Sequence, residues 1–451
     1  MKKVDLVNGN ILKVLIYLAF PIMATSFLQM AYNLVDMLWI GRIGSDAVAS
    51  VGTAGFYMWL SFAFIRLIQV GTEVNVSQSL GAEKYKDANS YSNSAIQLAV
   101  IIAIMYGAVI FIFSKQLIEF FDLGNIAVEM EALKYLRVVT LGMIFAFLNP
   151  VISCIYNGSG DSKTPFKINS IGLLINIVLD PLFIFTLKFG VVGAAYATVL
   201  SQFIVTILLA YLIISGNKPF DDFKFKIRLN IKSSLKVLKM GLPVAAQSGL
   251  FTIFGILIAK VIASYGPSAI AAQKVGVQIE SISYMTANGF AAALSTYTGQ
   301  NFGAGNMNRV KKGIISAFWI MSTFGIITSV LLYVFAEPIF MIFISDTKAL
   351  GIGVNYLQII ALSQVFMCVE ITLSGAFNGL GKTLPPALMS IIFTGARVPL
   401  AYILGREAVL GLSGIWWTIS ISSVFKGLFA VIMIIILIKR TQNSIKSQMS
   451  S

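Results

Sequence analysis

Chemistry in this chain begins with acids placed where hydrocarbon should surround them. In the run Phe20 to Asp36, FPIMATSFLQMAYNLVD, the residues Gln29, Tyr32, Asn33 and Asp36 fall at i, i+3, i+4 and i+7 and so form one polar stripe on a helix. An aspartate at mid-bilayer costs about 2.5 to 3.5 kcal/mol on insertion scales, so Asp36 must face protein or a watery cavity, and such residues usually carry function. Pro21 in the same helix predicts a bend. A second buried acid follows in Asn176-Ile-Val-Leu-Asp180-Pro181, where Asn176 and Asp180 stack at i and i+4. Thr198, in the small-residue run Gly193-Ala-Ala-Tyr-Ala-Thr198, adds a hydroxyl where helices can approach closely. Asp36, Asn176, Asp180 and Thr198 together offer carboxylate, amide and hydroxyl oxygens, a set suited to a hard cation or a held proton.

Other buried charges are more scattered. Arg66, Gln69 and Glu73 share one helix face at i, i+3 and i+7, and a structural pair is the expected role of Arg66 and Glu73. In the second half Lys274, Glu280, Glu370, Arg397 and Lys426 also lie in apolar runs, and Glu280 and Glu370 are secondary candidate sites. The chain has no histidine, which removes Ser-His and Cys-His nucleophiles, HExxH zinc sites and histidine proton relays together. Gly158-Ser-Gly-Asp161 fits a GxGD pattern but lies at a helix end beside Lys163 and Pro165, so it is expected to be a turn. Gly381-Lys-Thr383 resembles the end of a P-loop, yet no strand precedes it and the first glycine is out of register. No enzyme activity, cofactor or resident metal is expected, beyond a hard cation at Asp36, Asn176, Asp180 and Thr198.

The elements that must position these groups are membrane helices. With 451 residues, 57% of them hydrophobic and 12% charged, and a mean hydropathy of +0.85, the chain reads as an all-α polytopic membrane protein. Twelve apolar runs are long enough to span the bilayer, from about 12–38 to about 414–438. No cleavable leader is expected, because the first run is too long for a signal core. A net charge of +14 invites a nucleic-acid partner, but the basic residues are sided. The N-terminus, alternate loops and the C-terminus hold 21 Lys and Arg against 8 in the other loops. The positive-inside rule therefore predicts a multi-pass protein of the cytoplasmic (inner) membrane with both termini cytoplasmic, and no nucleic-acid binding. Cys154 and Cys368 both fall in helices and are expected to be free thiols.

An internal repeat sets the architecture. Pro21 and Pro243, Gly44 and Gly266, Gln78 and Gln300, and Gly81 and Gly303 match at an offset of 222. Tyr135-Leu136 and Tyr356-Leu357, and Asn157-Gly158 and Asn378-Gly379, match at 221. Six spans per repeat put both units in the membrane the same way up, so two six-helix bundles related by pseudo-two-fold symmetry are expected. The expected division is an N-terminal lobe over 1–215, a basic cytoplasmic linker over 216–240 and a C-terminal lobe over 241–451. Within the linker, Phe223 to Lys232 alternates apolar and basic residues and reads as an amphipathic extended segment on the anionic leaflet. The repeat is chemically asymmetric, since Ile258 stands where the first half has Asp36. Two bundles with titratable groups and no catalytic constellation point to a secondary transporter.

From Leu12 to Lys439 the chain resembles the multidrug and toxic compound extrusion (MATE) transporters, in particular their DinF-like branch. The resemblance rests on Pro21 with Asp36, on the Asn176 to Pro181 run, on the Gly193 to Thr198 run, and on Gly299-Gln-Asn-Phe-Gly-Ala-Gly305. It implies a cation-coupled (H+ or Na+) antiporter that exports amphiphilic or cationic drugs and metabolites by alternating access, with Asp36, Asn176, Asp180 and Thr198 as the coupling site. The substrate cavity is expected to be lined by Gln29, Met30, Tyr32 and Asn33, with Pro21 as a hinge that responds to occupancy. A monomer in the lipid bilayer is expected. Ala246 to Phe251 lacks the helix-7 acid of the NorM-like branch, although Glu370 offers part of a second cation site. A lipid-linked oligosaccharide flippase of the same superfamily is the alternative. It would need several cationic residues facing the cavity to hold pyrophosphate, whereas the first-half cluster is anionic.

Overall fold

The computed structural model describes residues 5–220, 223–225, 230–344 and 346–450, with side chains in the last helix to Arg440. The first half builds α1 (Ile11–Gly41), α2 (Ser45–Gly81), α3 (Tyr85–Ile112), α4 (Ser114–Glu119), α5 (Ile126–Leu141), α6 (Met143–Gly158), α7 (Lys163–Pro181) and α8 (Gly190–Ile214). The second half repeats the order: α9 (Ile231–Ala263), α10 (Pro267–Gly303), α11 (Met307–Val334), α12 (Ala336–Met341), α13 (Thr347–Ala361), α14 (Gln364–Gly379), α15 (Leu384–Leu404) and α16 (Gly411–Ser450). Among the described residues nine helices are long and apolar enough to cross a membrane, and two further spans are the bent pairs α5 with α6 (46°) and α13 with α14 (54°). The bends fall at Gly142 and at Leu362-Ser363, and Gly142 and Ser363 are repeat partners whose small side chains suit a sharp helix break. The remaining long helix, α10, is made less apolar by Lys274, Gln278, Glu280 and several hydroxyls, and it completes twelve spans in two sets of six. Cys154 and Cys368 are buried free thiols.

The chain forms two compact units, one from Phe20–Ala245 and the other from Asp5–Ala19 with the chain from Ala246 on. Two helices are thus shared. Helix α1 passes from one unit to the other between Ala19 and Phe20, next to Pro21, and α9 does so after Ala245, two residues beyond Pro243. Just past Pro21 the hydroxyls of Thr25 and Ser26 donate to the carbonyls of Pro21 (2.9 Å) and Ile22 (3.3 Å). Such back-bonding competes with the helical ladder and favours bending.

In the first unit the start of α9 lies directly on α2. A Cβ on Gly241 would sit 1.7 Å from the Leu67 carbonyl oxygen, and one on Gly71 2.0 Å from that of Val237, so only glycine permits this crossing. The connector is tied to α3: Phe220 and Phe223 are buried, Asn93 donates to the Lys224 carbonyl (2.9 Å) and the Lys224 amide donates to Asn89 (2.9 Å). Residues 221–222 and 226–229, the middle of the expected amphipathic segment, lie outside the described residues. From Ile231 the chain is helical, so the last ten residues assigned from sequence to the linker are the first turns of α9.

In the second unit the N-terminal segment is held by Arg309 of α11. Its guanidinium donates to the carbonyls of Gly9 (2.6 Å) and Leu6 (3.3 Å) and to Asn301 (3.1 Å), while Asn301 donates to the Leu6 carbonyl (3.1 Å). The Gly299 to Gly305 run thus supplies a clamp. Asp5 caps the same turn by accepting from the Asn8 side-chain amide (3.0 Å) and from the backbone amides of Asn8 and Val7, both at 2.9 Å, and these bonds, the Asn8 side chain's foremost, draw its carboxyl below the ordinary aspartate range.

A candidate ion-coupling site in the first unit

Three helices deliver the expected oxygens to one place. Helix α7 brings Asn176 and Asp180, both with no exposed surface, and the Asn176 amide donates to Asp180 Oδ1 (3.2 Å). Helix α8 brings Thr198, whose hydroxyl donates to Asp36 Oδ2 of α1 (3.4 Å). The Asp36 carboxyl adjoins Asp180, Asn176 and Thr198. Local sequence explains the approach. After Asp180-Pro181 the chain makes one turn of π-helix, Leu182–Thr186, and a Cβ on Gly193 would lie 2.7 Å from the Phe183 carbonyl, so glycine lets α8 close onto that turn.

The cluster is under-satisfied. Tyr32 Oη, Asp36 Oδ1, Asn176 Oδ1 and Asp180 Oδ2 are buried and have no hydrogen-bond partner. Buried polar atoms are normally paired, and each unpaired one costs about 1 to 3 kcal/mol. Two desolvated carboxylates side by side also repel, and no basic residue forms an ion pair with either among the described residues. A proton shared between the acids, or a cation held by these four oxygens, would relieve both penalties.

The other expected residues sort differently. Tyr32 is turned into the cluster, whereas Gln29 and Asn33 are exposed on α1 and Met30 is half-buried. The stripe therefore divides between an enclosed part and an accessible part. Gln69 donates to the Pro150 carbonyl (3.3 Å) and Arg66 is exposed. Glu280 and Glu370 belong to the second unit: Glu280 accepts from Tyr356 (2.8 Å) and Gln364 (3.1 Å), and Glu370 pairs with Lys426 at 3.7 Å. Two neighbours escaped the sequence reading as site residues. Tyr135 of α5 is buried close to both aspartates, and Ser201, one turn beyond Thr198, lies near Tyr32 while donating to the Ala197 carbonyl (2.7 Å). The repeat had already marked Tyr135 through Tyr356, and helical spacing from Thr198 marks Ser201.

Comparison with known proteins agrees with the repeat. The MatE family profile matches the chain twice, over residues 21–182 and 243–403, beginning at the two paired prolines. The probable multidrug resistance protein NorM of Thermotoga maritima is 31% identical over 419 residues, covering 90% of this chain and 88% of that protein. The probable multidrug resistance protein YpnP of Bacillus subtilis is 30% identical over 428 residues, covering 94% and 95%. A crystal structure of MATE in the bent conformation superposes with a TM-score of 0.92 at 25% identity, over 98% of this chain and 99% of that one. With both repeats matched and relatives of this similarity aligned over nearly their whole length, the chain belongs to the MatE family of multidrug and toxic compound extrusion (MATE) transporters, membrane transporters and not enzymes.

Proposed function

We propose that this transporter is a DinF-like antiporter that exports amphiphilic or cationic small molecules in exchange for H+ or Na+ bound at Asp36, Asn176, Asp180 and Thr198. The observation that carries the reading is the cluster of unfilled oxygens on Asp36, Asn176 and Asp180, with the Thr198 hydroxyl on Asp36, in one helix bundle. The repeat supports it, because Ile258 replaces Asp36 in the other half and leaves one asymmetric site. Gln29, Met30, Tyr32 and Asn33 continue from that site along α1 as the substrate surface, where a flexible thioether and an aromatic ring adapt to different shapes. Ion and drug then compete for the same carboxylates, and ion entry from outside releases drug outward. The test is efflux from everted vesicles energised separately by a pH gradient and by a sodium gradient. One of the two should drive export, and export under neither would end the antiport reading.

The hinge is the second part of the reading. Pro21 lies between the N-terminal turn that Arg309 holds, just ahead of α1, and the segment of α1 that carries Asp36, so a change of bend there redirects the acid. Pro21→Ala should straighten α1 and lower the transport rate about tenfold at unchanged membrane abundance, a change of ~1.4 kcal/mol in the working equilibrium. Wild-type efflux in that variant would remove Pro21 from the mechanism.

Orientation follows from the charge bias. We assign both termini and the connector to the cytoplasm of a multi-pass inner-membrane protein, and we read the working form as a monomer. A cysteine in place of Lys224 should react with an impermeant maleimide only in everted vesicles, and one in place of Asp346 only in intact cells. The opposite labelling would reverse the topology.

A further inference from the structure

The second unit holds three buried charges and one half-buried one that the ion site does not use. Arg397 of α15 is 8% exposed, Lys426 of α16 6% and Glu370 of α14 4%, while Glu280 of α10 is partly accessible. They are not partnered alike. Lys426 and Glu370 form an ion pair at 3.7 Å. Arg397 and Glu280 lie within electrostatic reach of one another, yet no ion pair joins them. Each is instead held by neutral groups. Arg397 donates from Nε to Ser422 (2.5 Å) and from Nη2 to Ser423 (2.9 Å), and its Nη1 has no hydrogen-bond partner among the described residues. Glu280 accepts from Tyr356 and Gln364.

The positions of both groups are built. Tyr356 is fixed edge-on against buried Trp416 with ring centroids 4.8 Å apart, and Gly276 leaves the space its ring occupies. Ser422 and Ser423 both donate to the Ile419 carbonyl, which turns their lone pairs toward the guanidinium. One turn before Arg397 on α15, the Thr394 hydroxyl is buried without a partner, and so is Gln364 Oε1 beside Glu280. A guanidinium steadied by two serines and presenting a free edge suits a carboxylate, because its fork of N–H groups matches the two oxygens. Glu280 and Glu370 act on Arg397 from beyond ion-pair distance, so its charge is balanced at a distance while its own hydrogen bonds go only to neutral hydroxyls.

We propose that Arg397 and Glu280 form a split ion pair that binds a zwitterionic amphiphile, its carboxylate on the Arg397 edge and its cationic group on Glu280. The cargo then includes molecules bearing an acid as well as a cation. This rests on the export reading for its choice of cargo. The ligand displaces no covalent group and needs no cofactor.

Two matched dyes test it. Rhodamine 110 carries a free carboxylate beside its cationic ring system, and rhodamine 123 is its methyl ester, so the pair differs only in the anion. Fluorescence polarisation with purified transporter, at one pH and with no ion gradient, gives the two affinities. Wild type should bind rhodamine 110 about tenfold more tightly than rhodamine 123, as expected for a charge-assisted fork. Arg397→Gln should abolish that preference while moving rhodamine 123 affinity less than about threefold, and Glu280→Gln should weaken both dyes. Equal affinity of wild type for the two dyes overturns the site, whether or not the Arg397 variant folds, and so does a preference that survives Arg397→Gln. Since the readout is equilibrium binding, either result leaves ion-driven efflux, and with it the export reading, to be judged separately.

Discussion

Asp36→Asn and Asp180→Asn should each reach the membrane at wild-type abundance and lose ion-driven export. Both changes keep the side-chain volume and remove only a titratable charge. The cluster contains two acids and no base paired to them, so neutralising one acid removes repulsion and strands no cation. Loss of export therefore reports coupling, not misfolding. The discriminating measurement is affinity for a cationic probe against pH and sodium. In wild type, protons and sodium compete with the probe for the same oxygens, so binding should weaken as pH falls or as the coupling ion rises. In the variants that response should be flat, because linkage requires a group whose occupancy differs between bound and free states. An uncharged amphiphile should still bind within about a factor of three of wild type, ~0.6 kcal/mol. Normal gradient-driven efflux by either variant would remove that carboxylate from the coupling site.

How far this site was legible in the sequence depends on what each residue costs in lipid. Asp36 and Asp180 stood out alone, since a carboxylate in an apolar run demands a reason. Asn176 followed from its spacing to Asp180, and the contact it predicts is present. Thr198 followed from small residues that let α8 come close, and it reaches Asp36. Tyr135 and Ser201 could not be found in this way. A tyrosine or serine in a membrane helix is cheap, so although the repeat marks Tyr135 and helical spacing reaches Ser201, which of the cheap residues turns toward the acids is fixed by the packing of α5 and α8. The repeat in sequence likewise foretold paired prolines but not that α1 and α9 are each shared between two units beside them. Hydropathy sees a continuous apolar helix on both sides of the crossing. In the second half, the sequence left five charges in apolar runs without saying which would meet. Glu370 and Lys426 are on different helices, and their pairing required the packing of α14 against α16.

That pairing changes what is expected of Glu370. In the sequence Glu370 is a secondary candidate, an acid in the other bundle that offers part of a second cation site. In the structure its carboxylate is the direct counter-ion of Lys426, both side chains being almost fully enclosed (5% and 8% exposed). Arg397 lies near enough to repel Lys426 when the acid is gone. Glu370→Gln leaves a buried ammonium beside a buried guanidinium, and breaking a buried pair from one side costs about 3 to 5 kcal/mol. The purified variant should unfold several degrees below wild type in a thermal assay in detergent, and it should accumulate poorly. Removing the stranded charge should reverse this: Glu370→Gln with Lys426→Met should regain most of the loss, since an apolar side chain of similar length replaces the unpaired cation. Asp180→Asn, in the bundle with acids only, should unfold no earlier than wild type. The opposite signs distinguish a structural ion pair from a coupling site. If Glu370→Gln is as stable as wild type, or if Lys426→Met fails to rescue it, the pair does not hold the second unit together, and Glu370 becomes available for ion binding.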